Sequence, residues 1–223
     1  MLIKSVGWLA LGSAASIRAD DNEDKAVKYV QKLGGMISRD EKLPSEPVVT
    51  MNLGGYAKET DEDLKQLRGF MNLKTLNLSG TLMTDAGLRE LAPFKGLNSL
   101  RLAFTSVTDA GLKDLAPLKD LRYLDLERTK VTDAGLKELA TFRRLDYLDL
   151  IDTLVTDIGL KELATLKRLT SLSVEKTKVT DLGLKELASF KTLIYLNLKD
   201  TQVTDDGILR AAPPMNRNFG AQL

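Results

Sequence analysis

The chain has 223 residues, of which 43% are hydrophobic and 28% are charged, a balance typical of globular proteins. Its 32 basic and 31 acidic residues leave a formal charge of +1, so no excess field would attract nucleic acid or an anionic membrane. Histidine and cysteine are both absent, which excludes imidazole general bases, thiol nucleophiles, disulfides and zinc sites that need nitrogen or sulfur ligands.

Residues 1–19 have the features of a secretory signal peptide. Lys4 precedes an apolar run from Val6 to Ile17, and Ala19 stands where a signal peptidase would cleave. The run is shorter than the about 20 apolar residues that a membrane-spanning helix needs. We therefore expect export after cleavage, to a periplasmic, extracellular or cell-surface location, and no insertion into a membrane. The alternative is a buried N-terminal helix or strand in a cytoplasmic protein.

Residues 20–47 are predicted to form a helical N-terminal cap followed by a linker. The helix would end at Gly34-Gly35, and residues 36–39 would follow as a strand before the linker that contains Pro44 and Pro47. A stack of repeats has an open end, and such a segment would shield it from water. Four apolar residues recur at helical spacing, namely Ala26, Val27, Val30 and Leu33.

The rest of the chain is built from a repeat of 24 residues. Six copies begin at positions 73, 97, 121, 145, 169 and 193, and a looser copy precedes them at 48–72. Within a copy, positions 1, 4 and 6 are apolar, position 9 is Thr, and position 11 is Val in five copies and Met83 in the first. A short strand over positions 3–6 would bury residues 4 and 6 and turn residues 3 and 5 to the opposite face. Apolar residues at positions 16, 19 and 20 then predict a short helix.

Each full copy also carries Thr-Asp-x-Gly at positions 12–15, as at Thr132, Asp133 and Gly135. A catalytic site would need one distinctive constellation, whereas this segment is equivalent in every copy. We interpret it as a helix start, in which the hydroxyl caps the helix and the carboxylate complements its positive end. The Thr at position 9 is predicted to hydrogen-bond backbone groups of the loop after the strand.

The pattern L-x-x-L-x-L-x-x-T-x-V-T-D-x-G-L resembles leucine-rich repeats of the ribonuclease-inhibitor-like class. It is similar to the cysteine-containing subtype of ubiquitin-ligase substrate-recognition subunits, with Thr in place of Cys, and to the arrays of many exported bacterial proteins. The resemblance covers residues 48–216 and leaves a C-terminal tail at 217–223. It implies an α/β solenoid, curved and right-handed, with a parallel inner β-sheet, short helices on the convex side and about seven repeats of 24 residues.

This resemblance favours a non-enzymatic module that binds a protein partner on the concave face of the array. No cofactor or metal is expected, because a shallow sheet face lacks the pocket that catalysis requires. The alternatives are an intracellular adaptor or inhibitor similar to ubiquitin-ligase substrate-recognition repeats, or a structural spacer. The last strand edge, around residues 195–198, would be covered by the tail or paired in a homodimer.

The variable positions 3, 5, 7 and 8 of the strands and following loops predict where the partner binds. Tyr123 should stand beside Tyr147, and Asp125 beside Asp149, on strands about 4.8 Å apart. An aromatic pair next to carboxylates would form a seat for a Lys or Arg side chain of the partner. The alternative is that an arginine of the same face neutralises the two aspartates. The predicted partner-binding residues are Arg101, Phe104, Tyr123, Asp125, Arg128, Tyr147, Asp149 and Asp152.

Overall fold

The computed structural model describes residues 13–55, 60–187, 190–211 and 220–222, in which strands and short helices alternate. The strands are β1 (Met36–Arg39), β2 (Val48–Asn52), β3 (Thr75–Asn77), β4 (Ser99–Arg101), β5 (Tyr123–Asp125), β6 (Tyr147–Asp149), β7 (Ser171–Ser173), β8 (Tyr195–Asn197) and β9 (Gly220–Gln222). The helices are α1 (Ser13–Lys32), α2 (Asp61–Lys65), α3 (Asp85–Arg89), α4 (Asp109–Leu112), α5 (Asp133–Leu139), α6 (Asp157–Glu162), α7 (Asp181–Leu187) and α8 (Asp205–Ala211). Turns of 3-10 helix extend α2, α4 and α6 at Gln66–Gly69, Lys113–Leu115 and Leu163–Thr165.

These strands form one open sheet in chain order. β1 runs antiparallel to β2, and each later strand is parallel to the one before it. Leu100 lies opposite Leu124, and Leu124 lies opposite Leu148, so the register advances by one copy of the repeat per strand. This arrangement confirms the predicted solenoid, in which the copies stack side by side and each contributes one strand to the inner sheet.

The core lies between the sheet and the helices, where the apolar positions of each copy meet. In the copy at 121–144, Leu124 and Leu126 of the strand side and Leu136 and Leu139 of the helix side are fully buried. Burying one such side chain contributes roughly 1.5–3 kcal/mol relative to leaving it exposed. Because equivalent residues of successive copies join one cluster, the core continues along the whole stack.

The N-terminal end of this core is covered by α1 and β1. Ala26 and Val30 of α1 are buried in the core, and Val27 and Leu33 pack against it while partly exposed. The helix ends at Lys32, two residues before Gly34, where the segment that was predicted to stop it begins. The first copy of the repeat therefore has a helix and an antiparallel strand between its core and solvent.

The predicted signal peptide falls partly outside the described residues. Residues 1–12 are among those outside, whereas α1 begins at Ser13 and continues past Ala19. The predicted boundaries after residues 19, 47 and 216 remain predictions. Within the part of the chain that the structure describes, none of the helices combines the length and the apolar character needed to span a bilayer.

At the other end of the sheet, the C-terminal tail pairs with the last strand of the array. β9 adds to β8 in parallel, with Tyr195 opposite Gly220 and Leu196 opposite Ala221. The structure therefore adopts the first of the two predicted arrangements, in which the tail covers the edge. The predicted homodimer loses the free β8 edge on which it depended.

The Thr-Asp-x-Gly segments start helices, as predicted. Thr132 is the N-cap of α5, and its hydroxyl oxygen accepts a hydrogen bond from the backbone N–H of Ala134 at 3.2 Å. The corresponding threonines make the same type of bond at 3.2–3.3 Å. Loss of such a cap typically costs about 1 kcal/mol. The threonine of the segment therefore has a structural role as the helix cap.

The aspartates of the segments up to Asp181, and Asp61 of the looser copy, make a contact that the sequence reasoning missed. Oδ1 of Asp109 accepts from the backbone N–H of Thr132 at 2.8 Å, and Oδ2 accepts from the Thr132 hydroxyl at 2.6 Å. Thr132 belongs to the next copy, so the two bonds join neighbouring copies. We call the set of these bonds the Asp–Thr ladder; its aspartates are Asp61, Asp85, Asp109, Asp133, Asp157 and Asp181.

The Asp–Thr ladder also accounts for the glycine of the segment. A Cβ atom placed on Gly135 would collide with Oδ1 of Asp109 and lie 3.0 Å from Cδ1 of Leu112. Glycine inside a helix costs about 0.5–1 kcal/mol relative to alanine. That cost is offset here because the missing side chain leaves room for the carboxylate of the preceding copy.

The buried threonine at position 9 has the predicted role. Thr129 is only 5% exposed, and its hydroxyl donates a hydrogen bond to the backbone carbonyl of Leu126 at 2.7 Å. The equivalent threonines make the same bond at 2.5–2.7 Å. Each bond satisfies a hydroxyl that would otherwise be buried without a partner, which confirms the prediction.

Candidate protein-binding face

The inner face of the sheet is formed by positions 3, 5, 7 and 8 of the copies. Its side chains differ in solvent exposure between position 3 and position 5. Tyr123 and Tyr147 at position 3 are partly exposed. At position 5, Arg101 is exposed and Asp125 is partly exposed, whereas Asp149 is only 8% exposed. Position 5 thus becomes more buried from β4 to β6, although alternation along a strand predicted that it would be open throughout.

The two tyrosines at position 3 form a stacked pair, as predicted from the strand spacing. The ring centroids of Tyr123 and Tyr147 lie 4.3 Å apart, and the rings are inclined by 5°. Arg101 continues the stack, with Cζ 5.2 Å from the Tyr123 centroid. We call these three side chains the aromatic stack. Burial raises the pKa of both tyrosines, so their hydroxyl groups stay protonated at neutral pH.

A second cluster lies in the loops that follow β4, β5 and β6. Cζ of Arg128 lies 5.1 Å from the ring centroid of Phe104, and Nε of Arg128 donates to Oδ2 of Asp152 at 2.8 Å. The Phe104 side chain is 49% exposed. The structure therefore brings these three predicted residues together, but in a group separate from the two aspartates at position 5.

Position 8 has a backbone conformation that the sequence reasoning did not anticipate. Phe104, Arg128 and Asp152 have φ angles of 58°, 51° and 54°, in the left-handed region. This region costs an L-residue roughly 1–2 kcal/mol, and glycine avoids that cost. Gly55 and Gly80 occupy position 8 in the first two copies and also have positive φ, which was the available signal.

The aspartates at position 5 accept hydrogen bonds within their own copies. Oδ1 of Asp125 accepts from the backbone N–H of Glu127 at 3.0 Å, and Oδ1 of Asp149 accepts from that of Ile151 at 2.9 Å. The Tyr147 hydroxyl donates to Oδ2 of Asp149 at 3.1 Å. Each aspartate therefore helps to shape the loop after its strand, a role that Asp and Asn side chains often take.

Burial sets the charge state of these carboxyl groups. It raises the pKa of Asp149 to about 6, and the neighbouring Asp125 carboxylate adds to the rise while the Ile151 N–H opposes it. Burial also raises the pKa of Asp125, opposed by the bond from Glu127 and by Arg101. Two like charges on adjacent strands are unfavourable, and each is partly desolvated.

The alternative in which an arginine neutralises the aspartates stays a prediction: the charge of Arg101 lowers the pKa of Asp125, but the two groups form no ion pair. Arg101 stacks on a tyrosine, and Arg128 pairs with Asp152 at 2.8 Å. Among the described residues, neither Asp125 nor Asp149 has a lysine or arginine nitrogen within 4.0 Å. The inner face therefore carries two carboxyl groups without a cationic partner beside a stacked aromatic pair.

Ser173 is an inner-face residue that the prediction did not include. It lies opposite Asp149 on β7, is 4% exposed, and its hydroxyl oxygen has no hydrogen-bond partner in the structure. Such a group is uncommon, because a buried polar atom without a partner costs about 1–3 kcal/mol. A serine between larger polar residues at position 5 was the only signal in the sequence.

The described residues offer no group of three or more carboxylates that could hold a metal ion. A cleft of about 370 Å³ lies away from the inner face, between α1 and the turn after α2, where Lys25, Tyr29 and Arg68 contribute to its lining. Asp125 and Asp149 do not line this cleft, and their partly exposed and buried carboxyl groups can accept hydrogen bonds from a cation.

A family profile described as Leucine Rich repeat matches residues 71–92, 118–140 and 191–209. No curated protein matches the sequence significantly. The matched segments lie within the array of 24-residue copies, and the profile agrees with the pattern of buried leucines and with the stacked strands.

Solved structures show the same architecture. The chain is similar to an internalin (inlF) from Listeria monocytogenes, with 20% identity and a TM-score of 0.56 over 72% of this chain and 51% of that chain. It is also similar to an internalin C2 (inlC2) from the same organism, with 22% identity and a TM-score of 0.55 over 89% of this chain and 92% of that chain. The chain spans about half the length of the first of these. At such identities the likeness concerns the fold.

Proposed function

We propose that this chain, a leucine-rich repeat protein, is a non-enzymatic module that binds a protein partner on the concave inner face of its sheet. Proteins with this fold are typically interaction modules, because stacked copies present a long surface whose side chains vary while the frame repeats. The fold alone identifies neither a partner nor a binding face, so both are inferred from the side chains of the inner face.

The observation that carries the proposal is the aromatic stack beside two carboxyl groups that form no ion pair with any described residue. Tyrosine and arginine are the residues most often found at the energetic centre of protein interfaces. Tyr123 and Tyr147 are partly exposed and held in one orientation by their stacking, so little side-chain entropy is lost when a partner covers them. A basic side chain of the partner would find both an aromatic surface and a carboxylate there.

The outer side of the array has a different character. Lys137 and Lys161 are exposed on successive helices, each followed by a partly exposed glutamate, so opposite charges alternate along that side. Such a surface is strongly hydrated and contributes to solubility. It serves as the comparison surface in a test of the proposal.

The double variant Tyr123→Ala/Tyr147→Ala is expected to bind the partner at least about 10-fold more weakly than the wild type, because truncating central tyrosines typically costs more than 1.4 kcal/mol. The partner would first be captured from native extract by crosslinking to the wild-type chain, and its affinity would then be measured with purified proteins. Lys137→Ala/Lys161→Ala is the control and should bind like the wild type. Weaker binding by the control, with no change in the tyrosine variant, would show that the partner uses the outer side.

We also propose that the protein is exported, on the basis of the signal-like features of residues 1–19. Cleavage after Ala19 would give a mature chain that begins at Asp20. Mass spectrometry of the N-terminus of the protein from its native cells tests this directly. A chain that retains Met1 or Leu2 would support the intracellular adaptor instead.

A further inference from the structure

The aromatic stack ends at β7, where a serine takes the position that tyrosine has in β5 and β6. It extends from β4 to β6, and at the next register position β7 carries Ser171 opposite Tyr147. A serine is too short to cover the second face of the tyrosine ring. On the far side of β7, Tyr195 occupies the same register position of β8 and is 38% exposed. We call the space above Ser171 the serine notch; Ser171 forms its floor and Tyr147 its wall, and the buried Ser173 follows two residues later on the same face of β7.

The serine notch has the width of one flat group. Strands β6 and β8 are two strand spacings apart, about 9.6 Å. A planar group placed above β7 would therefore lie about 4.8 Å from the position-3 residue on either side, within the range of favourable ring stacking. The Tyr123–Tyr147 pair shows that groups on adjacent strands of this sheet do stack, with centroids 4.3 Å apart.

Two polar groups next to the serine notch, the Ser173 hydroxyl and the Asp149 carboxylate, have unused hydrogen-bonding capacity. The Ser173 hydroxyl oxygen is buried and has no partner, although a hydroxyl group can donate one bond and accept two. Beside it, Asp149 accepts one bond from a backbone N–H and one from the Tyr147 hydroxyl. A carboxylate offers about four acceptor positions, so both groups can accept further donors.

Asp149, at the side of the serine notch, forms no ion pair with any described residue. Two basic side chains of the inner face have other contacts, since Arg101 stacks on Tyr123 and Lys176 pairs with Glu175 at 3.4 Å. Asp149 is partly desolvated next to another carboxyl group, and burial raises its pKa. A donor-rich cation without acceptor groups is the chemistry that would satisfy this site.

We propose that the serine notch receives the guanidinium group of one arginine side chain of the partner protein, paired with Asp149. The inference rests on the proposed function and specifies the chemistry of its anchor. Arginine fits better than lysine because its planar group stacks on an aromatic face and has five N–H donors in a fixed geometry, whereas the ammonium group of lysine is a strongly hydrated point charge.

The probe is the blocked tripeptide acetyl-Gly-Arg-Gly-amide, titrated into the full chain and followed by backbone amide NMR. A single anchored side chain is expected to bind with a Kd of roughly 1 mM, and the largest shifts should occur at Ser171 and Ser173. The tripeptide with lysine should bind at least about 5-fold more weakly, and the one with neutral citrulline about 10-fold more weakly. Equal binding of all three peptides, or no saturable shift at β7, would overturn the inference.

Ser171→Tyr fills the serine notch without a new backbone demand, because tyrosine already occupies the same position in β5, β6 and β8. This variant should lose arginine binding by at least about 10-fold, as should Asp149→Asn, which removes the charge. Ser99→Tyr places the same side chain at the same position of β4 and should bind like the wild type. Unchanged arginine binding by a folded Ser171→Tyr chain would contradict the inference.

The two proposals can fail separately. If the arginine peptide does not bind while capture of the partner still depends on Tyr123 and Tyr147, the arginine anchor is wrong and the inner face stands. If the peptide binds in the serine notch but inner-face variants capture the partner normally, the anchor site exists and the proposed function is wrong.

Discussion

Gly135→Ala is expected to lower the free energy of unfolding by about 2–3 kcal/mol, although alanine is the better helix former. The added methyl group would occupy the space of the Asp109 carboxylate and press on Leu112, so the Asp–Thr ladder must open at that rung. Urea denaturation followed by circular dichroism measures the change.

A double-mutant cycle isolates the cause. Asp109→Ala alone should cost about 2 kcal/mol, because two hydrogen bonds from Thr132 to a charged carboxylate are lost. In the Asp109→Ala background the methyl group has room, so Gly135→Ala should be neutral or slightly stabilising. The coupling energy between the two sites is then about 2 kcal/mol.

Asp205 offers the matched control for the ladder. It stands at the same position of its copy, and within the described residues it makes no bond to a following threonine. Asp205→Ala should cost only about 0.5 kcal/mol through its effect on the helix end. Equal costs for Asp109→Ala and Asp205→Ala, or additive effects in the cycle, would show that the contact between copies contributes little.

Asp149→Asn is expected to stabilise the chain at pH 7 by about 1–2 kcal/mol and to leave its stability at pH 4 nearly unchanged. The native pKa of Asp149 is raised to about 6, whereas the unfolded value is about 3.9. Between these values the native state holds more protons, so its free energy of unfolding falls as the pH rises. The full shift would correspond to about 3 kcal/mol, and solvent at the open side of the face reduces it.

The fold accepts asparagine at this position. Asn77 and Asn197 occupy position 5 of other copies, and each accepts a backbone N–H two residues later at 3.0 and 3.1 Å. Asp149→Ala is the comparison, because it removes the charge and also the bond from Ile151. Denaturation at pH 4, 5, 6 and 7 should show a flatter profile for Asp149→Asn than for the wild type. A loss of stability at pH 7 would mean that the charged carboxylate is favourable in the native state.

The stacked architecture could be predicted from the sequence, because the buried apolar positions recur every 24 residues. Leucines at positions 4 and 6 recur in register with the strands, so the pairing of Leu100 with Leu124 follows from the 24-residue spacing. Neighbours across the sheet were predictable for the same reason, and Tyr123 does stack on Tyr147. Periodicity states which residues of adjacent copies face each other.

Contacts made off the strand register were not predictable in the same way. The bond from Asp109 to Thr132 joins a helix start to the residue 23 positions later, and one copy considered alone assigns both groups to capping. The signal was Gly135 and its equivalents, since a glycine in each helix from α3 to α8 is unfavourable unless a side chain is excluded there. The interpretation of the segment as a helix start gave this glycine no role of its own.

The burial of side chains at position 5 of the inner face was the other property that could not be predicted from the sequence alone. Alternation predicts the direction of a side chain, but it does not predict how far neighbours overhang it. Asp149 is 8% exposed and Ser173 is 4% exposed, although both belong to the face that was expected to be open. Their burial depends on adjacent copies and on the loops that position 5 holds in place.

The Asp–Thr ladder and the inner-face residues have different roles in the repeat. The Asp–Thr ladder ties each helix start to the next on the outer side, whereas the aromatic stack and the aspartates lie on the inner sheet. Substitutions on the inner face can therefore change recognition with little effect on the Asp–Thr ladder, because interactions at distant sites are largely independent.

The most direct test of the account is hydroxyl-radical footprinting of the complex with the captured partner, read by mass spectrometry. It compares aromatic residues of the inner face with exposed apolar residues elsewhere, such as Ile158 at 68% and Leu182 at 63% exposure. The account predicts that oxidation of Phe104, Tyr123 and Tyr147 falls when the partner binds, while oxidation of the other two residues does not change. Protection of Ile158 and Leu182, with the inner-face aromatic residues still reactive, would contradict it.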